Sequence, residues 1–145
     1  MTMSIPAYQV MRRARFQALP HAQISDLFSF MQAHNIRHLP VVDDEDRLLG
    51  MLTEQALLQA ALSLPTDPET PLLTEAVAAD IMVRPSWVAA LDEPLEGLIR
   101  RMLDERLTCI PVVDSDQRLK GLLTRTDVIC ALRAEPLPPQ YLEAA

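Results

Sequence analysis

The sequence predicts a mixed α/β (α+β) fold built from two tandem copies of one β-α-β-β-α unit. Three observations carry this. First, residues 36–53, IRHLPVVDDEDRLLGMLT, align without a gap on residues 107–124, LTCIPVVDSDQRLKGLLT. The offset is 71, and nine of the eighteen positions are identical, where average residue usage gives roughly one. Second, helix-period apolar residues alternate with short runs of branched residues in both copies. Third, hydrophobic residues make up 49% of the 145-residue chain, which suits a buried core and not a disordered segment.

The elements follow in order. A short strand opens each unit, Ala18-Leu19 in the first and Trp87 to Ala90 in the second. Ile24, Leu27, Phe28 and Met31 recur at three- or four-residue spacing and predict an amphipathic helix from Ile24 to His34. Leu95, Leu98, Ile99 and Met102 repeat that pattern. Branched residues then predict buried strands at His38 to Val42 and Cys109 to Val113. Pro40 and Pro111 near the strand starts imply an edge or an interrupted ladder. Polar turns at 43–46 and 114–117 lead into return strands Leu48 to Leu52 and Leu119 to Leu123. Thr53 and Thr124 are placed to cap helices running to Leu62 and Leu132. SLPTDPETP at 63–71 has three prolines and predicts a connecting loop. Residues 72–79 form a short helix leading into the second copy. The expected organisation is a first unit over 1–63, a linker with a short helix over 64–79, a second unit over 80–135 and a tail over 136–145. The tail hangs loose or packs on a neighbouring copy.

Composition removes several functions. Thirteen basic and 20 acidic residues leave a net charge of −7, a poor footprint for nucleic acid or an anionic membrane. No apolar stretch of about 18 residues is present to span a bilayer, and Met1 to Val10 shows no secretory signal. Cys109 and Cys130 make no disulfide framework, so a reducing cytoplasm is expected. Gly50, Gly97 and Gly121 are too far apart for a Gly-rich phosphate loop. Lys120 is the single lysine beside twelve arginines. This reflects composition bias, or a supply of bidentate grips for phosphate and carboxylate.

The two segments IRHLPVVDDEDRLLGMLT and CIPVVDSDQRLKGLLTRTD resemble paired CBS domains, named after cystathionine β-synthase, in the tandem arrangement called a Bateman module. The resemblance covers about residues 5–135. It implies two CBS units packed through their sheets about a pseudo-twofold axis. It also implies clefts that bind adenosine-containing ligands such as AMP, ADP, ATP or S-adenosylmethionine, and assembly into a disc-like homodimer.

The second unit carries Gly121-Leu122-Leu123-Thr124-Arg125-Thr126-Asp127. A carboxylate one turn beyond Thr124 can accept two hydrogen bonds from a ribose diol. Thr124 and Thr126 add hydroxyls, the helix N-terminus favours phosphate, and Arg125 can add a charged contact. An adenine is expected near Val88 and the strand Cys109-Ile110-Pro111. The rival reading is that Thr124 and Asp127 form only a capping box. The first unit has Ala56 in place of Asp127 and Glu54 in place of Arg125, so its cleft is expected to bind weakly or not at all.

Other groups carry less. His34 and His38 are four apart, but a strand begins at His38 and no further ligand completes a metal set. His38 and Cys109 hold equivalent positions; His38 fills space there or contacts a ligand phosphate. Cys130 reads as core. Arg12, Arg13 and Arg15 fall near the first cleft by the repeat register. Trp87 is expected to anchor packing at a unit or dimer face. The leading expectation is therefore a non-enzymatic sensor that binds an adenosine nucleotide as a regulatory ligand, with no cofactor. Its expected partners are a second copy of itself and a separate effector protein. The alternative is a ligand-free dimerisation or interaction module.

Overall fold

A computed structural model describes residues 4–63 and 75–133. Of the loop expected at 63–71, Ser63 ends a helix and residues 64–71 lie outside the described ones, as do residues 72–74 and the 136–145 tail; of the helix expected at 72–79, residues 75–77 are not helical and helix begins at Ala78. In chain order the elements are α1 (Ala7–Val10), α2 (Ile24–Ala33), β1 (His38–Val42), β2 (Leu48–Thr53), α3 (Glu54–Ser63), α4 (Ala78–Ile81), β3 (Ala89–Ala90), α5 (Leu95–Asp104), β4 (Cys109–Val113), β5 (Leu119–Thr124) and α6 (Arg125–Ala131). The architecture is mixed α+β, as the repeat predicts.

Each half forms a small sheet on one plan. β1 and β2 pair antiparallel, as do β4 and β5 at an offset of 71. β3 adds to β4 in parallel, pairing Ala89 with Val112. In the first half that strand shrinks to a parallel bridge between Ala18 and Val41. Thus β4 is a central strand, and Pro111 is not at an edge. The proline is tolerated because Leu122 opposite it turns both its N–H and its C=O toward Arg12. The Pro111–Leu122 pair therefore carries no ladder bond that a missing N–H could break. Pro40 faces Met51 in the same way, since Met51 bonds Val83 in both directions.

The halves exchange a segment. Arg12, near the start of the first unit, bridges Leu122 in the second sheet, while Val83, near the start of the second, bridges Met51 in the first. The cores follow suit. Ala78 and Ile81 of α4 are buried with Ile24, Leu39 and Leu52. Ala7 of α1 is buried with Leu95, Leu98 and Ile110, and Val10 and Met11 pack against that cluster. Gly50 and Gly121 make room for this crossing. A β-carbon on Gly121 would overlap the Arg12 carbonyl oxygen and lie 2.6 Å from Met11 Sδ. The repeated glycine thus serves close backbone approach.

The two hairpins interlock across the pseudo-twofold. Leu48 N donates to Gln117 O at 3.1 Å and Leu119 N to Asp46 O at 2.9 Å. Asp46 and Gln117 have φ of 65° and 66°, so the symmetry extends to the strained residue of each turn. In each turn one carboxylate organises the backbone. Asp43 Oδ1 accepts from the N–H of Glu45 and Arg47, and Asp114 Oδ1 from those of Asp116 and Arg118. These bonds hold both carboxyls below the usual carboxylate range. One expected core residue is not in the core: Cys130 is exposed, because α6 buries Val128 and turns its neighbours Ile129 and Cys130 outward.

Candidate functional site

The fold leaves two clefts related by the pseudo-twofold. Both include Arg37, His38, Thr108 and Cys109, the residues at and just before the starts of the equivalent strands β1 and β4. The first cleft, about 590 Å³, is walled by Thr53, Glu54 and residues 83–87. The second, about 550 Å³, is walled by Thr124 to Thr126 and residues 12–16. Arg12, Arg13 and Arg15 therefore line the second cleft, not the first as the repeat register suggests. The cause is the exchanged segment: backbone bonds between Arg12 and Leu122 carry residues 12–15 across to β5.

Asp127 is not itself among the residues lining the second cleft; it stands behind two that are, Thr124 and Arg12, with 9% of its side chain exposed. Its Oδ2 accepts from the Thr124 N–H at 2.9 Å and from the Thr124 hydroxyl at 2.8 Å. The Asp127 N–H in turn donates to Thr124 Oγ1 at 3.3 Å, so the capping box is formed. The outer oxygen, Oδ1, accepts from Arg12 Nε at 2.6 Å. That hydrogen bond, and then the carboxylate charge, raise the Arg12 pKa above its ordinary value. The first cleft keeps the cap without the carboxylate: Ala56 N–H donates to Thr53 Oγ1 at 3.0 Å.

Of the other residues singled out from sequence, Thr124, Arg125, Thr126, Cys109 and His38 line this same cleft. Arg125, however, is directed elsewhere. Its Nε donates to Leu107 O at 2.8 Å and its terminal nitrogen to Met102 O at 3.5 Å, where α5 runs out of helical partners. The start of α6 is likewise engaged, since Arg125 N–H donates to Thr108 O at 3.4 Å. Val88 lies in a separate hollow beside Asp92 and Ser115, because β3 pairs on the side of β4 away from β5. Ile110 and Pro111 are fully buried in the core. The apolar surfaces the second cleft does offer are Phe16, Ile36 and Leu122. No local pattern marks them as cleft residues, because the exchange that gathers them is a tertiary event.

The shared floor is electrostatically quiet. His38 Nε2 lies 3.3 Å from Thr108 Oγ1. Burial, followed by the charge of Arg37, lowers the His38 pKa from its ordinary 6.5. Burial first, and then Asp127, pushes the Cys109 thiol up to about 12. Aromatic side chains mark the equivalent lips. Phe16 packs edge-on against Phe30 at 5.0 Å, and Trp87 carries the Arg101 guanidinium 3.6 Å above its ring. Five arginines line the second cleft and no acidic residue does; Asp127 sits behind Arg12 and Thr124. The first cleft holds Arg37, Arg84 and Arg106 together with Glu54. Among the described residues no group of three or more His, Cys, Asp or Glu is gathered as a metal site, and no helix is long and apolar enough to cross a membrane.

Comparison with known proteins agrees with this arrangement. The family described as CBS domain matches residues 7–63 and 77–134. The chain is 26% identical over 133 residues to an uncharacterized protein of Methanopyrus kandleri. That match covers 92% of this chain and 64% of the relative, so the chain spans just under two thirds of that relative's length. In fold it is similar to the crystal structure of CBSX2 in complex with AMP: 23% identity, TM-score 0.73, covering 87% of this chain and 94% of that one. It is also similar to a CBS domain pair crystallised with 5′-methylthioadenosine and S-adenosyl-L-methionine: 23% identity, TM-score 0.72, covering 89% and 100%. At these identities the likeness is one of fold.

Proposed function

The chain belongs to the CBS domain family, and from that premise we propose that it is a non-enzymatic regulatory module that binds an adenosine-containing ligand of the AMP, ADP or ATP class in the second cleft. The carrying observation is Asp127, a largely enclosed carboxylate whose Oδ1 is bound by Arg12, itself one of the five arginines that line a 550 Å³ cleft. Such a group accepts ribose hydroxyls, while arginine grips phosphate. The fold relatives bound to AMP and to S-adenosylmethionine support the ligand class. The ligand acts by preferring one arrangement of the two units over another, which a separate effector protein in the cytoplasm reads. The first cleft, with Ala56 at the equivalent place, binds weakly. Titration of the purified chain with AMP, ADP and ATP by calorimetry tests the reading. Saturable binding is expected, and the absence of binding to all three removes it.

A second reading rests on a separate observation. Leu58 and Leu62 of α3, Leu103 of α5, Ile129 of α6 and Leu132 just beyond it are exposed apolar side chains, of the kind that burial against another chain would cover. On this reading the protein is a homodimer or interaction module, and Asp127 does no more than cap α6. Melting temperature separates the two. A ligand at one hundred times its dissociation constant adds about 2.7 kcal/mol to the folded state, and a pure assembly module shows no such rise. Native mass spectrometry reports the number of subunits.

A further inference from the structure

We propose that Arg12 is the specificity-determining residue of the second cleft: it holds Asp127 until a phosphate takes its place, so the cleft accepts phosphorylated adenosines and rejects uncharged or sulfonium ones. This rests on the adenosine-ligand reading above and asks more of it.

The acceptor positions on Asp127 are limited. Each carboxylate oxygen offers about two acceptor positions. Both on Asp127 Oδ2 are taken by the Thr124 N–H and hydroxyl. Oδ1 has one position left beside Arg12 Nε, whereas a ribose diol needs two. Arg12 must therefore withdraw for the diol to dock. Nothing in the packing prevents this, since 62% of the Arg12 side chain is exposed and the Arg12 backbone alone makes the bonds to Leu122. Charge is the obstacle. Withdrawal strips a largely enclosed carboxylate of its cation, and hydroxyls replace the hydrogen bond but not the charge. A ligand that carries its own anion gives Arg12 a new partner, in the bidentate geometry guanidinium prefers. Arg13 and Arg15 on the same segment add to that field, and neither has an ion-pair partner among the described residues. A nucleoside lacking phosphate brings no such exchange, and a sulfonium adds a cation to a cationic cleft.

The test is calorimetry of the full chain and of Arg12→Met, which keeps the apolar stem, with AMP, ADP, ATP, 5′-methylthioadenosine and S-adenosylmethionine. For the parent chain, nucleotides are expected to bind at least tenfold tighter than methylthioadenosine, and to weaken as salt is raised. In Arg12→Met, nucleotide affinity falls at least tenfold while methylthioadenosine affinity rises several-fold, because Oδ1 is released. Opposite movements of two ligands are not what a merely structural residue produces. Equal weakening of every ligand, no change, or a parent chain that binds methylthioadenosine as tightly as AMP overturns the role of Arg12 and leaves the ligand-binding reading standing. No binding of any adenosine compound to either protein overturns both. If Arg12→Met melts early, the salt dependence and ligand ranking of the parent chain decide alone.

Discussion

Gly121 lies against the backbone of Arg12, so close that a β-carbon on it would overlap the Arg12 carbonyl oxygen. This contact seats Arg12 on β5 and so brings residues 12–16 into the wall of the second cleft. Gly50 does the same for Met82, but there the colliding atoms are Sδ at 2.8 Å and Cγ at 3.0 Å of a side chain that can turn. Gly121→Ala is therefore expected to destabilise by about 2–3 kcal/mol and Gly50→Ala by about 1 kcal/mol. Gly97 in α5 has nothing within 4 Å of the added carbon, so Gly97→Ala is expected to stabilise by about 0.5–1 kcal/mol. Urea denaturation of the three variants checks this ordering, and equal losses for Gly121→Ala and Gly50→Ala would contradict it.

Asp127 joins stability to binding. Asp127→Ala removes the return arm of the capping box and the bond to Arg12, with an expected loss of about 1 kcal/mol of stability. Nucleotide affinity falls further, by roughly 10- to 150-fold, the factor that corresponds to about 1.5–3 kcal/mol for a lost charged hydrogen-bond partner. Calorimetry on the variant, with its unfolding measured in parallel, separates the two effects. Unchanged affinity would remove Asp127 from the site.

His38 makes stability depend on pH in a known direction. Its pKa is lowered from 6.5 by burial and by Arg37, so the unfolded chain binds the proton more readily than the folded one. Stability from this group is therefore present above pH 6.5 and is lost as pH falls through the lowered folded value. Asp43 and Asp114 act in the same sense only below their ordinary 3.8, in a separate window. Denaturation midpoints of the parent chain and His38→Gln at about pH 7.5 and pH 5.5 are the measurement. A smaller drop in the variant is expected, and an identical drop would assign the effect elsewhere.

The two thiols should react unequally. Cys109 is held near 12 by burial, while Cys130 is exposed on α6. Since the thiolate is the reactive form, iodoacetamide at mildly alkaline pH should label Cys130 first. Peptide mass spectrometry reads the order directly, and early labelling of Cys109 would show that the strand start at the cleft floor opens to solvent.

The four-residue helices α1 and α4 were not legible in the residues themselves, whereas the two-copy organisation, the two longer helices of each copy and the strands from His38 to Val42 and from Cys109 to Val113 were. They depend on local periodicity and on a repeat, and both are written along the chain. The capping box was legible too, because Thr124 and Asp127 are three apart. What sequence could not reach was the exchange of residues 7–12 and 78–83 between the halves. A strand edge accepts any backbone that presents N–H and C=O groups at the right spacing, so pairing with β2 or β5 leaves little mark on side chains. Only the glycines record it. Placement of Arg12, Phe16 and Val88 followed from that exchange. The ion pair between Arg12 and Asp127 spans 115 positions, and the packing of two cores around a shared axis decided it.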